Sequence, residues 1–186
     1  AYITGSQRSA ITVGGTVFPA NQYGDFFLLK YAPNGTLVWA FHAGNGSGES
    51  GENIDFDAAG NVYVAGTMGT TIPMGGLTLN ASGIQSAFVA KFDPNGQVLM
   101  ANSYGNAWSY NGARSIAVLA NGDHYLVGQY DTIVAFGTDT LRGIDDCWVA
   151  KFDAAGNYQW SRSMQGPNFH VWYDAGASAN GDVFLV

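Results

Sequence analysis

The sequence predicts an all-β repeat protein, and three observations lead there. Charged residues are only 11% of the chain, against about a quarter in an average soluble domain. Glycine accounts for 26 of 186 residues, about twice its usual share. Similar sequence blocks recur at a nearly constant interval, which is the mark of a repeat architecture. Lysine, glutamate and leucine, the residues of surface helices, are scarce, and no segment shows a 3.6-residue period. Almost no helix is therefore expected.

The first block joins a strand to a tight turn. It reads FFLLKYAPNG at 26–35, AFVAKFDPNG at 87–96 and CWVAKFDAAG at 147–156. Lys30, Lys91 and Lys151 are spaced 61 and 60 apart, with Gly35, Gly96 and Gly156 in step. Trp39, Met100 and Trp160 follow at one common position. Phe88, Ala90 and Phe92 alternate with Ala87, Val89 and Lys91, the two-residue period of a strand. Asp93-Pro94-Asn95-Gly96 and Asp57-Ala58-Ala59-Gly60 are turn chemistry, with glycine where φ must be positive.

A second block reads IDFDAAGNVYVAG at 54–66, IAVLANGDHYLVG at 116–128 and AGASANGDVFLV at 175–186. AYITG at 1–5 matches VYVAG at 62–66, and Gly5, Gly66 and Gly128 are spaced 61 and 62 apart. A third, looser block is ITVGGTVF at 11–18, IPMGGLTL at 72–79 and IVAFGTDTL at 133–141. Each of these predicts a small extra hairpin bent at glycine. Short strands repeating in this way point to propeller blades or another β-repeat array.

The blocks at 87–100 and 54–66 resemble the bacterial β-propeller repeat known as the SBBP repeat. Its core reads D-x-F-V-A-K-F-D-x-x-G-x-x-x-W, followed by I-A-x-D-x-x-G-N-x-Y-V-x-G. The chain departs from it at Met100, at Leu119 and at Ala175 and Ala177. The resemblance implies four-stranded antiparallel blades, each with an added hairpin between its second and third strands. It also implies an exported or cell-surface bacterial protein.

On that pattern strand A falls at 52–57, 113–118 and 172–177, and strand B at 1–5, 61–66, 123–128 and 182–186. Strand C falls at 26–31, 87–92 and 147–152, and strand D at 36–41, 97–103 and 157–163. The expected units are a partial blade at 1–51, blades at 52–112 and 113–171, and a partial blade at 172–186. Such a propeller is incomplete, since rings hold four to eight blades. The expectation is a window of a larger chain, or else a segment completed by neighbouring chains.

Composition excludes several functions. A net charge of -7, with seven dispersed basic residues, opposes nucleic-acid binding. No apolar run is long enough for a membrane-spanning helix. Cys147 is a single cysteine, so no disulfide framework exists within the chain, and no metal-ligand spacing is present. No cofactor, metal or catalytic residue is predicted. Asp55, Asp57, Asp145, Asp146 and Asp153 read as turn and surface carboxylates. His42, His124 and His170 fall at unrelated repeat positions, with His124 packed or at a strand edge. The recurring lysines read as stems lying over a neighbouring blade with their charges at the surface. Trp39 and Trp160 read as packing between blades.

The connections from strand D to strand A differ most. They read GNGSGESG at 44–51, GNAWSYNG at 105–112 and QGPNFHVW at 165–172. The first reads as flexible, and the other two carry Trp108, Tyr110, Phe169 and Trp172. Repeat scaffolds vary the loops that bind, so these aromatics are the candidate contact surface for a protein or carbohydrate ligand. The alternative is that they pack beneath the hairpins. Glu52, Arg114 and Tyr173 share one position in strand A and are channel-lining candidates. The expected function is a non-enzymatic binding or structural scaffold. The alternatives are a lyase or hydrolase site over the channel and a self-assembling surface component.

Overall fold

A computed structural model describes residues 1–19, 22–166, 174–178 and 180–186. Its first repeat runs β1 (Tyr2–Gln7), a hairpin of β2 (Ile11–Val13) and β3 (Thr16–Phe18), then β4 (Asp25–Tyr31) and β5 (Leu37–Ala43). The second runs β6 (Ser50–Phe56), β7 (Val62–Met68), the hairpin β8 (Ile72–Met74) and β9 (Leu77–Leu79), then β10 (Ser86–Phe92) and β11 (Val98–Tyr104). The third runs β12 (Asn111–Val118), β13 (His124–Tyr130), the hairpin β14 (Ile133–Phe136) and β15 (Asp139–Arg142), then β16 (Asp146–Phe152) and β17 (Tyr158–Met164). Finally β18 (Ala175–Ala177) pairs with β19 (Val183–Leu185).

All strand pairing is antiparallel. The sheets are β1-β4-β5, β6-β7-β10-β11, β12-β13-β16-β17 and β18-β19, numbered first to fourth below. The hairpin lies between the second and third strands of both four-stranded sheets and between β1 and β4 in the first repeat, where the glycine bends predict it. No helix, closed barrel or propeller ring is present among the described residues.

The strand alternation explains how the sheets stack. Phe88, Ala90 and Phe92 of β10 face the first sheet, joining Phe26 and Leu28. Ala87 and Val89 face the third sheet, joining Leu126, Trp148 and Ala150. Both faces of β7 and β10 are therefore buried. Full burial of a side chain such as Phe88 contributes about 1.5–3 kcal/mol. Each extra hairpin wedges its apolar residues into the gap: Ile72, Met74 and Leu79 enter one core, Val134 and Phe136 the next.

The Asp-x-x-Gly turns are built alike. Asp93 Oδ1 accepts the amide protons of Asn95 and Gln97, both at 2.8 Å, and Gly96 donates to the Asp93 carbonyl. Asp57 and Asp153 repeat the arrangement. In each turn the Oδ1 oxygen is occupied by the turn's own backbone, as the turn chemistry predicts, while Asp57 and Asp153 accept a side-chain amide of Asn61 and Asn157 at Oδ2.

Three details correct the sequence-based expectation. Asp146 is 2% exposed, so it is not a surface carboxylate. The 44–51 connection is pinned, because buried Glu49 accepts the Asn45 and Ser47 amide protons and the Thr70 hydroxyl. The recurring lysines lie over the tyrosine of the adjacent strand in their own sheet. Lys30 is 5.4 Å from the Tyr2 ring centre, Lys91 4.8 Å from Tyr63 and Lys151 5.6 Å from Tyr125. Cross-strand pairing places them there: Lys91 sits opposite Tyr63, and Lys151 opposite Tyr125. Lys30 additionally reaches the next sheet, donating to the Pro94 carbonyl.

Candidate functional site

Two neighbouring regions bring together side chains able to bind. The first is built on the β11–β12 connection. Asn111 donates to the Gln85 carbonyl at 3.0 Å, and Gln85 and Tyr110 form a parallel bridge. The Asp131 carboxylate accepts the Ser109 hydroxyl and the Tyr110 amide proton. Ile133 donates its amide to Ser109 Oγ at 3.3 Å. The connection is thus fastened to the segment before β10 and to the one after β13.

Trp108 stands at the tip, 85% exposed, with φ of 70°. That backbone conformation is costly for a bulky residue and is held by the surrounding hydrogen bonds. With Ile84, Ala107, Ser82 and Gly83, Trp108 lines a shallow apolar depression. Tyr110 is 55% exposed and borders a second depression with Gln129, Tyr130, Asp131 and Asp145. Trp108 and Tyr110 therefore project from the surface, and neither is packed beneath a hairpin. Phe169 and Trp172 lie outside the described residues. Ile84 of the first depression is itself exposed, as is Ile144, next in sequence to Asp145 of the second. Sequence reading missed them because isolated isoleucines in a loop carry no pattern.

The second region lies where β6 and β12, the first strands of the second and third sheets, come together. Pairing between β6 and β7 skips Glu52, and pairing between β12 and β13 skips Arg114. These are β-bulges, which re-aim a side chain out of the ladder. The bulged residues meet: Arg114 Nη1 is 3.8 Å from Glu52 Oε2. Both line a cleft of about 300 Å³ with Arg8, Tyr23, Ser50 and Gln85. Tyr173, the third residue of that repeat position, lies outside the described residues. Arg8, Tyr23 and Gln85 escaped the sequence reading because each comes from a stretch outside the aligned blocks.

Four further titratable groups, Lys91, Asp57, His124 and Cys147, are buried or largely buried in the sheets. Lys91 Nζ lies 3.2 Å from Asp57 Oδ2, with both side chains largely buried. Burial pushes the Asp57 carboxyl up, but hydrogen bonds from Asn61 and Lys91 outweigh it and hold it below its ordinary value. His124 is fully buried, stacked on Phe152, and donates or accepts through Nδ1 at the Gly122 carbonyl. Burial pushes its pKa down to about 4. Cys147 is buried, as its alignment with Phe26 and Ala87 predicts. Among the described residues no group of three or more His, Cys, Asp or Glu side chains could hold a metal ion. No helix among them is long and apolar enough to cross a membrane.

No protein-family model and no curated protein matches the chain.

Proposed function

We propose that the chain is a run of β-propeller blades acting as a binding scaffold, with a protein or carbohydrate ligand held on the loop face around Trp108 and Tyr110. The observation that carries this is Trp108: a large aromatic, 85% exposed, on a backbone at φ of 70° that its neighbours fasten in place. A rigid exposed aromatic contributes contact area at little entropic cost on binding. Adjacent Tyr110 and Ile84 enlarge the patch.

The repeat interval, the A-B-C-D strand order of the two four-stranded sheets and their face-to-face stacking support the propeller reading. Further blades, from the same or neighbouring chains, would complete the ring. An exported or cell-surface location in a bacterium is proposed on the repeat resemblance alone.

The test is a panel of oligosaccharides and peptides titrated against the protein by calorimetry. A ligand that binds the wild type, fails to bind Trp108→Ala and still binds Val38→Ala, exposed on β5, supports the proposal. Binding that survives both Trp108→Ala and Tyr110→Ala overturns it.

A further inference from the structure

The cleft where β6 meets β12 differs in kind from the aromatic loop face. The whole protein carries 14 acidic and 7 basic residues. This cleft nevertheless collects two arginines, Arg8 and Arg114, and one carboxylate, Glu52. Its local charge is therefore opposite to that of the molecule. Among the described residues neither guanidinium has its donors used. Among those residues Arg114 meets only Glu52, at 3.8 Å, beyond hydrogen-bond length, and no hydrogen bond or ion pair engages Arg8. Each guanidinium presents five N–H donors in a planar fork that matches a carboxylate. The remaining walls are neutral donors and acceptors, Ser50 and Gln85, with the Tyr23 ring 60% exposed at the edge.

We propose that this cleft is a binding site for a small polyhydroxylated carboxylate, a sugar acid, whose carboxylate is held by Arg114 and Arg8. Glu52 then acts as an internal competitor: it occupies Arg114 loosely in the free protein and gives way to the ligand. Ser50 and Gln85 meet the ligand's hydroxyl groups, and the Tyr23 ring covers its apolar face. The bulges in β6 and β12 turn Glu52 and Arg114 out of their ladders, so the site depends on two irregularities at one repeat position. It is independent of Trp108, so its failure would leave the loop-face proposal intact, and the reverse.

The experiment is an NMR titration of the full chain with D-galacturonate, with D-galactose and acetate as matched probes. The expected result is saturable binding of galacturonate with shifts at the cleft, weaker binding of acetate and none of galactose. Arg114→Gln is expected to weaken galacturonate about tenfold or more, the loss of a charge-assisted bidentate contact. Glu52→Gln is expected to tighten it severalfold, which a merely structural role for Glu52 would not do and which does not depend on Arg114→Gln folding. Equal binding of galacturonate and galactose, absence of saturation, or a Glu52→Gln variant no tighter than wild type would overturn the proposal. Acetate binding as tight as galacturonate would overturn the sugar-acid assignment.

Discussion

Asp55 Oδ2 accepts the Val118 amide proton at 2.6 Å, bridging β6 of the second sheet and β12 of the third. Asn53 does the same for Ile116 at 3.3 Å, and Ser115 for Ala175 at 3.1 Å one junction later. Polar side chains on the edge strand of one sheet thus satisfy backbone donors on that of the next, which a bare strand edge would leave open. Asp55→Ala is expected to cost about 1–3 kcal/mol by stranding the Val118 amide. Asp55→Asn, which keeps an acceptor, should cost less. Urea denaturation of the two variants checks the order.

The Lys91–Asp57 pair should matter more than its counterpart Lys151–Asp123. The former is 3.2 Å long with side chains 13% and 6% exposed, the latter 3.9 Å with 26% and 24%. Removing one partner of a buried pair leaves a charge uncompensated, about 3 kcal/mol, whereas a more exposed pair contributes under about 1 kcal/mol. Asp57→Ala is therefore expected to lower stability well beyond Asp123→Ala in thermal denaturation. The Asp57 carboxyl is held below its ordinary value, so its contribution is fully present above about pH 4 and is lost as pH falls through the folded-state value.

Acid sensitivity should set in earlier through His124. Burial, with the Lys91 charge adding to it against the Gly122 carbonyl, holds the imidazole at about 4, while the unfolded chain titrates near 6.5. Between those values the unfolded state binds more protons, so stability falls as pH is lowered. The contribution is complete above about pH 6.5, and roughly 3 kcal/mol is gone by pH 4. His124→Leu should flatten that stretch of the pH–stability curve. An NMR titration should show the His124 ring protonating near pH 4.

The repeat made the strands and turns legible, because Asp-x-x-Gly turns and two-residue alternation are encoded in residue types. The packing role of Trp39 was legible on the same basis: its indole N–H reaches the Pro94 carbonyl of the next sheet at 3.1 Å. What pairing decides was hidden. A bulge changes no residue type, so Glu52 and Arg114 could be aligned but not seen to meet. Lys91 looked like a surface stem because its neighbours Tyr63 and Asp57 belong to a strand and turn some thirty positions earlier. Asp55 looked like a surface carboxylate because its acceptor role depends on a second sheet.

The turn glycines separate backbone cost from packing cost. Gly35 and Gly96 both have positive φ, 82° and 88°. A Cβ on Gly35 would meet nothing within 4 Å, whereas one on Gly96 would lie 2.9 Å from the Trp39 ring. Gly35→Ala should cost about 1–2 kcal/mol for the left-handed conformation alone. Gly96→Ala should cost about 1 kcal/mol or more beyond that, for the crowding of Trp39. In the Trp39→Ala background the two costs should converge, which denaturation of the four variants would show.

Trp108 should behave as a residue kept at the expense of stability. Its φ of 70° disfavours a bulky side chain, and at 85% exposure it buries little apolar surface in return. Asparagine tolerates that conformation far better, because its short side chain hydrogen-bonds locally. Trp108→Asn is therefore expected to raise the unfolding free energy by about 0.5–1 kcal/mol while abolishing binding at the loop face. A packing residue would behave in the opposite way, since its removal costs stability. Thermal denaturation of this one variant therefore separates the two roles: a higher Tm marks a residue held for contact, and a loss of several degrees marks one held for the fold.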